Sequence, residues 1–209
     1  MTYVQQTWTD NVTPVDKAHM DHIEAGIVAL DTGKLTIPYG TSLPASPVDG
    51  QVAILVDSIT NPTYQWMFRY NAGSTSAYKW EFIGGAPKVI TNTAAGGTTS
   101  GSFVYIAGAP LFTLPRVGEY EIGVTAGLYN DTANMGSQAG ISIPGVGVPI
   151  ELSISWGVFP TSNQGGVFSA EAAYTCATAG DVAFYQARIG ASGTAYANGR
   201  TMRVLPRRV

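Results

Sequence analysis

From Tyr120 onward, apolar side chains fall on every second position in run after run. Tyr120, Ile122, Val124, Ala126 and Leu128 alternate along one stretch. Val148, Ile150, Leu152, Ile154, Trp156 and Val158 alternate along a second, with Glu151, Ser153 and Ser155 between them, and Phe168, Ala170, Ala172, Tyr174 and Cys176 along a third. Val182–Ile189 and Thr201–Leu205 supply two more. A period of two marks strands with one face buried and one face solvated. Several such strands, broken by Gly and Pro, predict an antiparallel β-sandwich or jelly roll over residues 87–209. The opening tract Thr91–Gly101 is rich in Gly, Thr and Ser and reads as a flexible or loop-forming tract. Thr201–Leu205 reads as the final strand, with Met202 and Val204 on one face and Arg203 and Leu205 on the other. Pro206 has no N–H to donate, so regular pairing should end there or continue only on an edge. On that reading, Arg207–Val209 can be removed at little cost.

The surface of such a sandwich would be short of charge. Between Val89 and Ala187 only seven of 99 residues are charged: Arg116, Glu119, Glu121, Asp131, Glu151, Glu171 and Asp181. Over the whole chain the fraction is 12%, against about 25% for an average soluble domain. Uncharged strand edges favour association, and a closed symmetric oligomer would bury part of them. Arg188, Arg200, Arg203, Arg207 and Arg208 follow Asp181 with no acidic residue after them. They are expected either to pair with carboxylates of a neighbouring subunit or to be solvated. A net charge of -3 and a pI near 5.2 argue against a nucleic-acid surface, which is usually basic. No apolar run approaches the roughly 18–20 residues of a membrane span. The first ten residues lack a basic n-region and an apolar h-region, so no secretory signal is expected. Cys176 is the single cysteine. It suits a reducing cytoplasm and an inert place in the core.

Residues 1–34 read differently. Thr13 is a candidate N-cap, Pro14 suits the first helical position, Asp16 lies three residues after the cap, and Gly33 is a plausible stop. Met20, Ile23, Ile27 and Leu30 recur at spacings of 3, 4 and 3, an a/d seam about two heptads long. Such a helix is too short to be stable alone in water. It must pack on its own copies or on a larger partner. Residues 35–86 open with Pro38, Pro44, Pro47 and the Asp49–Gly50 turn. Gln51–Asp57, Tyr64–Tyr70 and Tyr78–Ile83 then predict a small antiparallel sheet of about three strands. Tyr64, Trp66, Phe68, Tyr70, Tyr78, Trp80 and Phe82 would form the core of this small module, some of them facing outward as a stacking or docking surface. The chain as a whole is therefore expected to be mainly β: an N-terminal helix (1–34), a small β module (35–86) and a jelly-roll-like sandwich (87–209).

Catalytic chemistry is poorly represented. His19 and His22, the only histidines, share a helix face, but a metal site needs three or four ligands. No Ser–His–Asp arrangement is expected, because both histidines lie far from the strands. Glu119 and Glu121 share a strand face. A carboxylate pair can hydrolyse glycosides, yet without a cleft these two read as solvated or arginine-paired. Gly96–Gly97 and Gly145–Val146–Gly147 are weak turn signals with no helix after them, so they make no phosphate loop. No catalytic residue, cofactor or metal is expected. Tyr129, Asn130, Asp131 and Asn134 form a polar stretch able to read a glycan through hydrogen bonds.

Two stretches resemble proteins of tailed-bacteriophage virions. Trp8-Thr-Asp-Asn-Val-Thr-Pro-Val-Asp-Lys-Ala-His-Met-Asp-His-Ile-Glu-Ala-Gly-Ile27 is similar to an N-terminal motif of tail-fibre, baseplate and head-fibre components. Tyr39–Gln51, Phe68-Arg-Tyr-Asn-Ala-Gly-Ser74 and Tyr78-Lys-Trp-Glu-Phe82 look like a module of phage tail and minor-tail proteins. The last segment is similar in pattern to the trimeric jelly-roll heads of phage fibres and of the tumour-necrosis-factor class. The resemblance implies a non-enzymatic, homotrimeric virion protein assembled in the host cytoplasm. Trp8, Met20, Ile23, Ile27 and Leu30 would anchor it to tail, baseplate or major capsid proteins, and Tyr129, Asn130, Asp131 and Asn134 would meet a host-surface glycan. A short fibre, a capsid-decorating or head-fibre protein, and a glycan-degrading enzyme are the three roles to separate. The fibre departs from long-fibre patterns in having little room for a shaft.

Overall fold

A computed structural model of the chain describes residues 17–32, 37–143, 154–155 and 160–209. The chain divides into two compact units at Ile37/Pro38, and each is described by itself. In the first, helix α1 spans Lys17–Thr32. Met20, Ile23, Ile27 and Val28 are exposed in it, at 47, 44, 60 and 60%. Leu30 is described only as a helical position. Trp8 and the proposed cap and stop at Thr13, Pro14, Asp16 and Gly33 lie outside the described residues.

In the second unit the described strands are β1 (Tyr39–Gly40), β2 (Val52–Val56), β3 (Gln65–Tyr70), β4 (Trp80–Ala86), β5 (Lys88–Asn92), β6 (Gly96–Thr98) and β7 (Val104–Tyr105). They continue as β8 (Leu111–Thr113), β9 (Gly118–Asn130), β10 (Gly136–Ser142), β11 (Ile154–Ser155), β12 (Gly165–Cys176), β13 (Asp181–Ile189) and β14 (Ala195–Arg208). Apart from 154–155, the strand predicted over Val148–Val158 lies outside the described residues. One sheet runs β1-β2-β3-β4-β14-β9-β12, with β5 and β6 also on β14; the other runs β11-β10-β13, with β7 and β8 on the far side of β13. Counting β5/β6 and β7/β8 as single interrupted strands, the last eight strands place β5/β6-β14-β9-β12 against β7/β8-β13-β10-β11. That is the wrapping order of a jelly roll, which the alternation in sequence predicts.

The two sheets share one core. The buried set Tyr120, Ile122, Val124, Ala126 and Leu128 of β9 is the alternating set of the sequence, and Met202 and Val204 of β14 lie beside it. Ala139 and Ile141 of β10 and Val182 and Phe184 of β13 belong to the same cluster. So do the aromatic residues of the 52–86 stretch. Trp66, fully buried, stacks on Tyr64 at 4.0 Å and meets Phe112 of β8 edge-on at 6.1 Å and Tyr120 of β9 at 6.4 Å. The stretches that the sequence separates at residue 86 are therefore parts of one compact unit, Pro38–Val209. Too small to bury these rings alone, β2–β4 extend the jelly-roll sheet and use its core.

The final strand makes this possible, and it differs from expectation in two ways. It spans 14 residues, long enough for β4, β5 and β6 to lie end to end along one side while β9 takes the other. A bulge between Asn198 and Thr201, with Gly199 at φ 55°, inserts a residue and moves the buried positions from Ala195 and Ala197 to Arg200, Met202 and Val204, so that β14 stays in phase with β9. Pairing also continues past Pro206 through a second irregularity to Arg208. Val209 is buried and exchanges two backbone hydrogen bonds with Trp80, each 3.0 Å. The glycine-rich 91–101 tract is likewise more than a loop, because β6 pairs with β14 inside it. Its glycines permit the approach: a Cβ on Gly96 would meet Arg200 Nη1 at 2.7 Å, and one on Gly97 would meet the Tyr196 ring at 2.8 Å.

Removing Arg207–Val209 should therefore be costly. Two backbone hydrogen bonds at about 1 kcal/mol each and a buried valine at roughly 1.5 kcal/mol or more make the expected loss about 3.5 kcal/mol. Urea unfolding of the truncated chain should show that loss. A midpoint unchanged from the full chain would mean that the terminus does not clamp β4.

Candidate functional site

The alternation that buries one face of β9 turns Glu119, Glu121, Gly123, Thr125, Gly127 and Tyr129 to the other. Side chains of β14 and β12 flank this row in register, so the outer face of the jelly-roll sheet is a series of cross-strand rows. At one end the rows are charged. Arg208 Nη1 donates to Glu119 Oε2 at 3.2 Å, and Ser76 Oγ donates to Glu119 Oε1 at 3.1 Å. Arg203 Nη1 lies 2.8 Å from Glu171 Oε1 and 3.8 Å from Glu121 Oε1. Arg203 and Arg208 pair within their own chain and not with a neighbouring subunit, because the long final strand lays them across β9, and Glu119 and Glu121 are arginine-paired, one of the two readings their sequence allows. Partly exposed pairs of this kind stabilise by about 0–1 kcal/mol each. The same pairing ties up both carboxylates of the candidate acid/base couple.

Next comes a row of hydroxyls. Thr91 Oγ1 lies 3.2 Å from Thr201 Oγ1, and Thr125 Oγ1 lies 2.8 Å from Ser169 Oγ, with Thr201 and Thr125 in register between the two pairs. At the far end Tyr129 and Tyr196 stack, with centroids 4.9 Å apart and planes 10° from parallel. Their register neighbours on the outer strands are Gly165 and Gly97. Two shallow depressions mark the face. One, of about 380 Å³, has Gly123 in its floor, with Val89, Glu171 and Arg203 around it. The other, of about 360 Å³, is lined by Gly127, Tyr129, Asn163, Gly165, Val167 and Asn198. Glycine weakens a strand interior and often marks close approach by a ligand or another backbone.

The structure divides the four residues expected to meet a glycan. Tyr129 lies on the outer face. Asn130 is buried, and its amide donates to the Gly136 carbonyl at 3.0 Å while its Oδ1 accepts from the Thr132 N–H at 2.9 Å. It braces the β9–β10 turn and is not a surface contact. Asp131 Oδ1 accepts from the Thr194 N–H at 2.7 Å and from Thr132 Oγ1 at 3.1 Å. The Thr194 N–H holds this carboxyl below its ordinary range. Asn134 is exposed and takes the left-handed turn conformation, φ 60°. Sequence reasoning missed Tyr196, Asn163 and Asn198, which come from strands and turns distant in sequence. Only the outward glycines Gly123 and Gly127 gave a local signal.

Other candidate groups serve the interior. Arg200 is buried, with Nη2 donating to the Ala94 carbonyl at 3.0 Å and Nη1 to Gln186 Oε1 at 3.4 Å. Gln186 in turn donates to the Gly96 carbonyl at 2.9 Å. Among the described residues, no three His, Cys, Asp or Glu side chains gather as a metal site, and no helix is long and apolar enough to cross a membrane. Cys176 is fully buried, and burial pushes its thiol up to about 11. A raised pKa favours the protonated, unreactive form. At pH 8 iodoacetamide should leave folded Cys176 essentially unmodified, whereas urea-unfolded chain should react at least a hundredfold faster. Comparable rates would place the thiol at the surface.

No protein-family model and no curated protein sequence matches the chain. Among solved structures, the infectious bursal disease virus VP2 subviral particle is 13% identical, covers 78% of this chain and 40% of its own, and has a TM-score of 0.40. The Gt strain of that virus gives 10% identity, 79% and 40% coverage and a TM-score of 0.41. The Gx strain gives 10% identity, 67% and 38% coverage and a TM-score of 0.38. This chain thus spans about two fifths of the length of the solved chains it is similar to. At these identities and TM-scores the likeness assigns it to no family.

Proposed function

We propose that this chain is a non-enzymatic structural protein of a bacteriophage virion. It acts as a short homotrimeric fibre, held to the particle by residues 1–34 and presenting its jelly roll to host-surface glycan. The observation that carries the reading is the seam on α1. Met20, Ile23 and Ile27 expose 44–60% of their surface on a 16-residue helix whose stability has to come from packing. The same residues lie in the stretch that resembles phage virion anchors. Three copies would supply the partner faces that the seam lacks, and trimeric presentation would convert weak sites into avid attachment.

Capsid decoration, the head-fibre role, is favoured by a different observation. The compact unit begins at Pro38, five residues after Gly33, which leaves little room for a shaft between the anchor segment and the jelly roll. Both roles use the same anchor. Copy number separates them: a few to tens per virion for a tail fibre, hundreds for capsid decoration.

Ile23→Asp combined with Ile27→Asp tests the anchor. Incorporation into virions should fall at least tenfold, while near-ultraviolet circular dichroism and thermal unfolding of the jelly roll stay as in the wild type. Native mass spectrometry of the wild-type chain should give three times 21.9 kDa. Normal incorporation of the folded double variant would remove the anchor from the account, and a wild-type monomer would remove the trimer.

A further inference from the structure

We infer that the depression beside Tyr129 is a seat for one neutral pyranose ring. The inference rests on the attachment reading for its biological use and on local geometry for its chemistry. Tyr129 has Tyr196 against it on the β14 side, parallel at 4.9 Å. On the β12 side its register partner is Gly165, which has no side chain to cover the ring. The space there, about 360 Å³, falls within the usual range for small-molecule sites. Gly127 keeps its floor low. A Cβ on Gly127 would meet Asn198 Oδ1 at 2.1 Å and displace that amide.

The polar groups around this space are unspent. Asn163 and Asn198 are exposed, and neither side-chain amide has a hydrogen-bond partner among the described residues. Asn163 is held at φ 61° by its backbone N–H, which donates to the Asn130 carbonyl at 2.7 Å. An amide presents two donors and an acceptor, the set that reads vicinal hydroxyls. An aromatic face beside it takes the apolar C–H side of a sugar ring.

Charge selects the sugar class. Gly127, Leu128, Tyr129, Asn163, Gly165, Gly166, Val167 and Asn198 line the depression, and none is ionisable near neutrality. Asp131, in the turn next to Asn130, adds a carboxylate and no cation at this end and is held by the Thr194 N–H, and farther along the face Glu171 and Arg203 already pair with each other. The seat therefore fits neutral hexosides and N-acetylhexosaminides rather than uronic or sialic acids. Position explains the turn chemistry as well. Buried Asn130 fixes both the β9–β10 turn and Asn163, so the residue that sequence reasoning placed at the receptor instead holds a residue that lies there.

Saturation-transfer NMR on the full-length chain tests this. The probes are methyl glycosides of glucose, galactose, mannose, N-acetylglucosamine and N-acetylgalactosamine, with methyl glucuronide as the acidic comparison. At least one neutral probe should receive saturation, mainly on its C–H face, with roughly millimolar affinity per site. Tyr129→Ala should weaken it at least tenfold. Asn163→Gly keeps the left-handed backbone and removes only the amide, and should weaken it several-fold. Asn198→Ala provides a third variant if Tyr129→Ala fails to fold. The seat is overturned by three results: no neutral probe bound, preference for the glucuronide, or binding that survives Asn163→Gly and Asn198→Ala in folded protein. Any of these leaves virion incorporation unaffected, so failure of the seat is distinguishable from failure of the virion reading.

Discussion

β14 is the strand on which the rest of the second unit depends. Over 14 residues it pairs β9 on one side and β6, β5 and β4 in succession on the other. A strand that long has to keep its alternation in register from end to end, since a slip of one residue would turn Met202 and Val204 outward and Arg203 inward. The bulge at Asn198/Thr201 absorbs the irregularity. Gly199, at φ 55°, takes a conformation that a side chain would resist. One consequence is that Arg200 points inward, where burial holds its guanidinium below its ordinary range and where a carbonyl and an amide oxygen, rather than a carboxylate, accept from its two Nη atoms, while its Nε has no partner among the described residues.

The outer face follows from the same register. Because β14 runs beside β9 in alignment, Thr201 meets Thr125 and Tyr196 meets Tyr129. β12 adds Ser169 and Gly165 to the same rows. Apart from Asn163, which a turn supplies, polar and aromatic groups from three distant segments thus share a surface without a loop having to position them. Sites built on strands are held more precisely than sites on loops, and the low relief of the glycine positions leaves room for a ligand where a regular strand would fill the space.

Much of this was legible in sequence, for identifiable reasons. β9 and β12 each have one buried and one open face, so their period of two is plain. β2, β3 and β4 were marked by aromatic and β-branched runs. β10 escaped because Ser137, Ala139, Gly140 and Ile141 are all buried, which erases the alternation. β7 and β8, at two and three residues, are too short for any periodicity. The division at residue 86 followed the density of aromatic residues in the middle stretch. No local pattern reports that Trp66 packs on Phe112 and Tyr120 as well as on its neighbour Tyr64. The site fared similarly. Tyr129 lies on the outer face, whereas Asn130 is buried; a polar residue at a strand end looks the same in sequence whether it braces a turn or faces water. Tyr196 and Asn198 join the face only through β14 pairing, and Asn163 through a turn 34 residues after Tyr129.

If β14 joins β2–β4 to the jelly roll as described, residues 38–209 unfold as one cooperative body. Native-state hydrogen exchange measures this directly, amide by amide. The most protected amides of β3 should exchange with the same free energy as those of β9 and β14, and all should respond to denaturant with the same slope. Amides of β3 that open at a distinctly lower free energy, while β9 and β14 stay closed, would show that the 52–86 stretch is a separate module and that β14 does not unite the fold.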